Sequence, residues 1–310
     1  MKDRVLLTFF LLGSAVLLLG PDSRRLLRVS ASIVLAWAIP VCFVEVVVPN
    51  LFSTATGRSA GLYLNPNIAS AAILVCLICA VDLARPTAKS LILIALGVAA
   101  VFATFSRMGM VFATFLFIGF ALTPRFADRR AITAGRRIVL LATLVVLGAI
   151  AVAWVAWNIE LSDDARLRIR SFLTGDLSDA SASGRIERAF ETAAVAQKDL
   201  LGHGPGTVER MGLGPHNTYL YIAVDYGIPG VLLFLGILGF GFARALRAGF
   251  RRAAGAMAVV ALMAFTSFFS HHVDNNVDLA VGFAALMTGA LIDPEKRAVR
   301  APPAAIPQQS

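Results

Sequence analysis

LILIALGVAAVFATFSRMGMVFATFLFIGFAL, residues 91–122, contains one ionisable side chain, Arg107. As a single straight helix rising 1.5 Å per residue this stretch would measure roughly 48 Å, well beyond the ~30 Å hydrocarbon core of a bilayer. It would also place the basic groups that flank it, Arg85/Lys89 and Arg125/Arg129/Arg130, on opposite faces of a membrane. Folding back at Ser106-Arg107 removes both difficulties. The reading is a hairpin of two short apolar helices, with Arg107 low at its turn, near the outer interface or in a recess.

The rest of the chain extends the pattern. Of 310 residues, 58% are hydrophobic and 15% charged, and the mean hydropathy is +0.77; a soluble domain usually carries about 25% charged residues. Apolar runs fall at 5–20, 29–48, 67–84, 90–105, 108–122, 138–158, 217–243, 253–270 and 277–292. They are too continuous for the alternation of a barrel, and lipid satisfies no backbone groups, so they should be helices. The expected fold class is all-α: a polytopic membrane bundle of about nine spans over residues 1–292, including one large periplasmic loop at 159–216. A disordered cytoplasmic tail should occupy 293–310.

A net charge of +9 would suggest nucleic acid in a soluble protein, but its placement argues against that. Most of the Lys and Arg lie in short connections that the span order puts on one side, which is therefore the cytoplasm. The other side holds the 49–66 loop, the Ser106-Arg107 corner, the 159–216 segment and His271-His272. The first helix reads as a retained span, not a cleaved signal. Span parity puts the N-terminus outside, against Lys2 and Arg4. Either an incomplete first span or helices missing ahead of this chain would account for that. Cys42, Cys76 and Cys79 all sit in apolar runs, where a thiolate has no stabilising partner, so the Cys76-x-x-Cys79 pair reads as packing.

The 159–216 segment carries nine acidic and seven basic residues and reads as extramembrane. Within it, Arg185–Gln197 predicts a short helix with an apolar face of Ile186, Phe190 and Ala193. Two glycine-rich stretches follow, Gly202-His-Gly-Pro-Gly206 and Gly212-Leu-Gly-Pro-His-Asn217. No Gly-Lys-Ser/Thr follows them, so nucleotide binding is not indicated. His271-His272 with Asp274 reads as a solvated turn, because adjacent histidines on a helix diverge by about 100° and chelate poorly. No metal site is expected.

An ordered series of motifs resembles a known family: Gly61-Leu-Tyr-Leu-Asn-Pro-Asn67, Thr104-Phe-Ser-Arg-Met-Gly109, Ser183-Gly-Arg185, Gly202-x-Gly-x-Gly206, His216-Asn-Thr-Tyr-Leu220 and Asp225-Tyr-Gly-Ile-Pro-Gly230. It is similar to the O-antigen ligase and O-antigen polymerase superfamily, which includes protein O-oligosaccharyltransferases. The resemblance implies a multi-pass protein of the bacterial inner membrane with its active face in the periplasm. The implied donor is a glycan on undecaprenyl pyrophosphate; the acceptor would be lipid A-core, another glycan or a protein. Neither cofactor nor metal is implied. Family members carry more helices than this chain has room for, and Phe190 stands where a tryptophan is frequent.

The family's functional residues fall on Arg107, Arg185 and His216. Two guanidinium groups suit a lipid diphosphate, whose departure needs charge neutralisation more than a proton. His216 suits the acceptor hydroxyl, as general base or orienting group. Asn217, Asn67, Asp225 and Arg168 are candidates for substrate contact. For several of these a plainer role competes: Asn217 as a helix cap, Asn65 and Asn67 as turn and N-cap residues, and Asp225 as a partner for backbone groups freed near Gly-Ile-Pro-Gly. The alternative function is a transporter or flippase for a lipid-linked or anionic solute. A weaker third is a non-catalytic partner of an export system. Against transport, few ionisable residues lie within spans (Glu45 and Asp225 are the main ones) and no internal repeat is visible.

Overall fold

The computed structural model describes residues 13–14, 16–20, 22–53, 58–63, 65–83, 87–122, 180–248, 250–270, 277–289 and 291. Among these, every regular element is helical: α1 (Ser23–Val47), a 3-10 turn (Gly61–Tyr63), α2 (Pro66–Ala80), α3 (Ala88–Ala103), α4 (Arg107–Leu122), α5 (Ala180–Ala196), α6 (Thr207–Arg210), α7 (Thr218–Ala248), α8 (Phe250–Ser267) and α9 (Val277–Thr288). The expected span at 138–158, Arg168, His271-His272 and the 293–310 tail lie outside the described residues. α1 and α7 are long and apolar enough to cross a membrane; α2, α3, α4, α8 and α9 contain shorter apolar helices.

α2 is the axis of the bundle. Its sequence is apolar all round, and it is buried on every side, as such a helix must be. It packs against α1, α3, α4, α8 and α9. Small residues allow the close approach. Gly97 of α3 faces Leu77, Gly109 of α4 faces Ser70 and Gly282 of α9 faces Val75, the small-residue contact by which apolar helices associate without a hydrophobic driving force. Asn65 starts α2 as its N-cap, its side chain accepting the Asn67 N–H, with Pro66 at the first helical position.

A methyl group at Gly109 would meet the Ser70 Cβ at 2.6 Å, its Oγ at 2.7 Å and Val101 Cγ1 at 3.1 Å. Gly109→Ala is therefore expected to destabilise the bundle by about 1–3 kcal/mol, the usual cost of overpacking, read as a lower midpoint of thermal unfolding in detergent. Ser70→Gly on the same chain should recover part of the loss. Equal stability of Gly109→Ala and the parent would show that α4 does not sit this close to α2.

Large apolar side chains are exposed along the outer faces of the bundle. Trp37, Phe115, Leu232, Leu233 and Phe240 are all more than half exposed along α1, α4 and α7, a distribution suited to lipid and not to water. The two ends differ. At one, Arg24 pairs with Asp82 at 3.3 Å beside a small recess lined by Arg28, Cys79, Gly255 and Leu291. Arg244 reaches the Met287 carbonyl at this same end. The opposite end collects the loop after α1, the α3–α4 turn, the start of α7 and the close of α8.

Three sequence-based expectations need correction. α1 begins at Ser23, six residues before the expected 29. The expected span 217–243 is not one straight helix, because α7 is interrupted at Gly227 (φ 64°, ψ −164°). Residues 228–248 alone rise about 31 Å, close to a bilayer core, so 218–226 form a separate segment above it. Finally, α5 does not bury Ile186 and Phe190, which are 49% and 73% exposed. Thr192 is the fully buried position, and at 100° per residue Phe190 lies roughly 200° from it, on the far side of the helix.

Candidate functional site

The α3–α4 turn is built residue by residue. Thr104 ends α3, its hydroxyl donating to the Val101 carbonyl at 2.7 Å. Phe105 adopts φ 48°, a left-handed conformation that non-glycine residues enter only when neighbours hold them. Ser106 follows as the cap of α4: its Oγ accepts the Gly109 N–H at 3.3 Å and donates to Asn67 Oδ1 at 3.0 Å. Arg107 is the first residue of α4 and half-buried. The hairpin expected from the sequence is present. What the sequence did not show is that Asn67 ties its turn to α2.

The second part of the site is an interlock between loop and broken helix. Pro229 lacks an N–H, and the turn of the chain at Gly227 carries the Ile228 N–H away from α7 to the Leu200 carbonyl at 2.8 Å. The carbonyls of Val224 and Asp225 thereby lose their helical donors. His203 N–H takes the first at 2.8 Å and Gly204 N–H the second at 3.1 Å. The Asp225 carboxylate completes the join, its Oδ2 accepting Gly206 N–H at 2.6 Å and its Oδ1 accepting Val208 N–H at 3.1 Å. Asp225 is 2% exposed. Expected to contact acceptor hydroxyls, it has both oxygens engaged in the plainer backbone role. Gly202 and Gly227 meet at backbone contact distance, which is the reason for glycine at both positions.

Asn217 is likewise engaged locally: its Oδ1 accepts the Leu220 N–H at 3.1 Å and caps α7. The half-buried His216 just before it is held where α7 joins α8. Thr218 donates to the Ser270 carbonyl at 2.6 Å, and Tyr219 OH to that of Ala264 at 3.0 Å. Arg107 is tied to the same helix end, since Thr266 Oγ1 contacts the Sδ of neighbouring Met108 at 3.8 Å. The chain neighbours of Arg107 and His216, Met108 and Thr218, thus both meet the C-terminal end of α8.

Arg185 arrives from α5, which packs along α7. Val195 and Ala196, at the C-terminal end of α5, rest on the cluster of Val208, Tyr221 and Val224. Toward the other end of α5, the Arg188 guanidinium lies 3.8 Å from where a side chain on Gly214 would begin. Arg185 is one turn further in that direction, half-buried, and so lies at the His216 end of α7. The N-termini of α4 and α7 open on this same end of the bundle. Their partial positive charges and the guanidinium groups together suit an anion. Among the described residues, no three His, Cys, Asp or Glu side chains group as a metal ion would require.

Two residues absent from the sequence-based site belong to this construction. Arg58 donates through Nε to the Thr104 carbonyl at 3.1 Å and through Nη2 to Asn67 Oδ1 at 3.0 Å. Its signal was an arginine in the short 49–66 loop, on the side expected to hold Arg107 and the 159–216 segment. Glu45, read only as an ionisable residue in a span, accepts from Ser53, Ala60 and Gly61 backbone amides at 2.7 Å each. Asn67, expected to contact substrate, has its carbonyl oxygen occupied by Arg58 and Ser106.

A bundle that is helical throughout its described residues and exposes apolar flanks defines a class: helical proteins suited to a membrane. Residues 92–235 match the family model described as O-Antigen ligase. The match covers a little under half of the chain, from α3 through the Ser106-Arg107 turn to the interlocked start of α7. Over that segment the likeness to the O-antigen ligase and polymerase superfamily is shown; its members are membrane-embedded enzymes of glycan transfer. No curated protein matches the chain.

Proposed function

We propose that this chain is a metal-independent glycosyltransferase of the bacterial inner membrane, a bundle of about nine spans with its site on the periplasmic face. It moves an oligo- or polysaccharide from undecaprenyl pyrophosphate to a hydroxyl of lipid A-core, glycan or protein. The observation that carries the reading is that Met108 and Thr218, the chain neighbours of Arg107 and Asn217-His216, both contact the C-terminal end of α8, at the pole opposite Arg24, Arg28 and Arg244. With the basic pole cytoplasmic, the site faces outward.

In this mechanism Arg107 and Arg185 neutralise the diphosphate. The acceptor oxygen forms a bond to the anomeric carbon as the bond from that carbon to the phosphate oxygen breaks. The electron pair leaves with the pyrophosphate, and the acceptor proton passes to His216. Configuration inverts, and no covalent sugar-enzyme intermediate forms. Arg168, outside the described residues, remains a candidate for substrate contact. A transport reading draws less support, because Glu45 and Asp225, the carboxylates that would mark a pathway, are occupied by backbone amides.

Arg107→Ala is expected to lower transfer in membranes by about 10²–10³-fold, the cost of losing one electrostatic clamp on a developing charge. Arg107→Lys should recover only part, since an ammonium cannot form the two parallel bonds of a guanidinium. Full transfer by Arg107→Ala at equal protein abundance would remove the donor-binding role.

A further inference from the structure

We propose that Arg58 is a positioning residue for the donor-binding turn: a loop gathered on the Glu45 carboxylate presents it, and it fixes Ser106-Arg107 through Asn67 and the Thr104 carbonyl. This rests on the reading of Arg107 given above.

The argument starts with Glu45. A carboxylate near the end of an apolar helix, 2% exposed, has to find donors within the protein. One oxygen takes Phe52 and Ser53 N–H at 3.3 and 2.7 Å. The other takes Ser59 Oγ at 3.2 Å and the N–H groups of Ala60 and Gly61 at 2.7 Å. Both ends of the stretch 52–61 are thereby drawn to one side chain, which determines where Arg58 leaves the loop.

From there Arg58 reaches the C-terminus of α3. The last carbonyls of a helix lack intrahelical donors and favour a cation. Ser59 N–H takes the Ala103 carbonyl at 3.3 Å and Arg58 Nε that of Thr104 at 3.1 Å. The Nη2 of Arg58 then shares Asn67 Oδ1 with Ser106 Oγ, both at 3.0 Å. One guanidinium thus bridges the end of α3 and the start of α2, and through Asn67 meets the cap of α4. Between Thr104 and Ser106 lies Phe105 with its left-handed backbone, held from both sides by these bonds.

The test uses the full-length protein in detergent with a lipid-linked donor and a separate acceptor. Arg58→Ala should lower kcat/KM for the donor about tenfold to a hundredfold, the effect of misplacing a binding group by about an ångström, with the acceptor KM unchanged. Arg58→Lys should fall between, because one ammonium cannot serve both acceptors at their separate positions. Asn67→Ala should share the donor-specific defect. The double variant should be little worse than the worse single, as expected for members of one relay. Should Arg58→Ala fail to fold, the Arg58→Lys and Asn67→Ala comparisons decide alone.

Parental donor kcat/KM in Arg58→Ala, with Arg107→Ala inactive, would overturn this proposal while leaving the donor-binding reading standing. Full activity of both variants would remove the reading itself. Equal losses against donor and acceptor together with a lower unfolding midpoint would make Arg58 a structural residue only, as would additive losses in the double variant.

Discussion

Membranes carrying His216→Ala are expected to transfer glycan about 10²–10⁴-fold more slowly than the parent at neutral pH, the range over which a positioned general base acts. The support around the imidazole is local. The Asn217 side chain caps α7, and Thr218 and Tyr219 bond to the end of α8. The thermal midpoint of the variant, measured beside its activity, separates a chemical role from a structural one. A base must be deprotonated to accept the acceptor proton, so parental activity should fall on acidification. His216→Gln, which can orient a hydroxyl but cannot take its proton, separates the two roles. Activity close to the parent with a flat acid limb would assign orientation alone. Full transfer by His216→Ala would take the residue out of the chemistry.

Gly227→Ala should prevent the loop from docking on α7. A Cβ at this position would lie 2.3 Å from the Leu200 carbonyl oxygen and 2.4 Å from the Leu201 carbonyl carbon. These are backbone atoms, which cannot rotate aside. The φ of 64° with ψ −164° is also essentially reserved for glycine. Strain and clash together should cost about 3 kcal/mol or more. Much of the cost should appear as separation of residues 200–208 from α7, because the Val224, Asp225 and Leu200 bonds all depend on this approach. Hydrogen exchange at the His203, Gly204 and Val208 amides should accelerate, and proteolysis of the loop should increase. Protection equal to the parent would show that the interlock is not formed. Gly204→Ala is the comparison: its φ of 93° is strained, but a methyl there meets nothing within 4 Å, so its effect should be smaller.

The helical hairpin at residues 91–122 was legible because length and hydropathy settle it: thirty-two residues with one charge leave no other way to keep both flanking basic groups on a single side. The central burial of α2 was legible in part, as a run apolar on every face. The inward face of α5 was not. Ile186 and Phe190 form the apolar pair that periodicity selects, but the helix packs through Thr192, Val195 and Ala196 against α7. Asn67, Asp225 and Asn217 show the same limit. Short polar side chains accept from helix-end and loop N–H groups as readily as they contact ligands, and only the packed structure shows which donors reach them.

Chain order and residue type alone therefore determined the helical character of the described elements, their apolar surfaces and the candidacy of Arg107, Arg185 and His216. These follow from local quantities: hydropathy per helix length, charge per connection and the titration chemistry of a side chain. The tertiary structure decided which residues hold those three. It gave Glu45 to the loop, Arg58 and Asn67 to the Ser106-Arg107 turn, and Asp225 to the break at Gly227. Such pairings join residues up to forty-six positions apart. Hydrogen bonds are decided by tenths of an ångström between segments that meet only after packing, and no one-dimensional pattern encodes that distance.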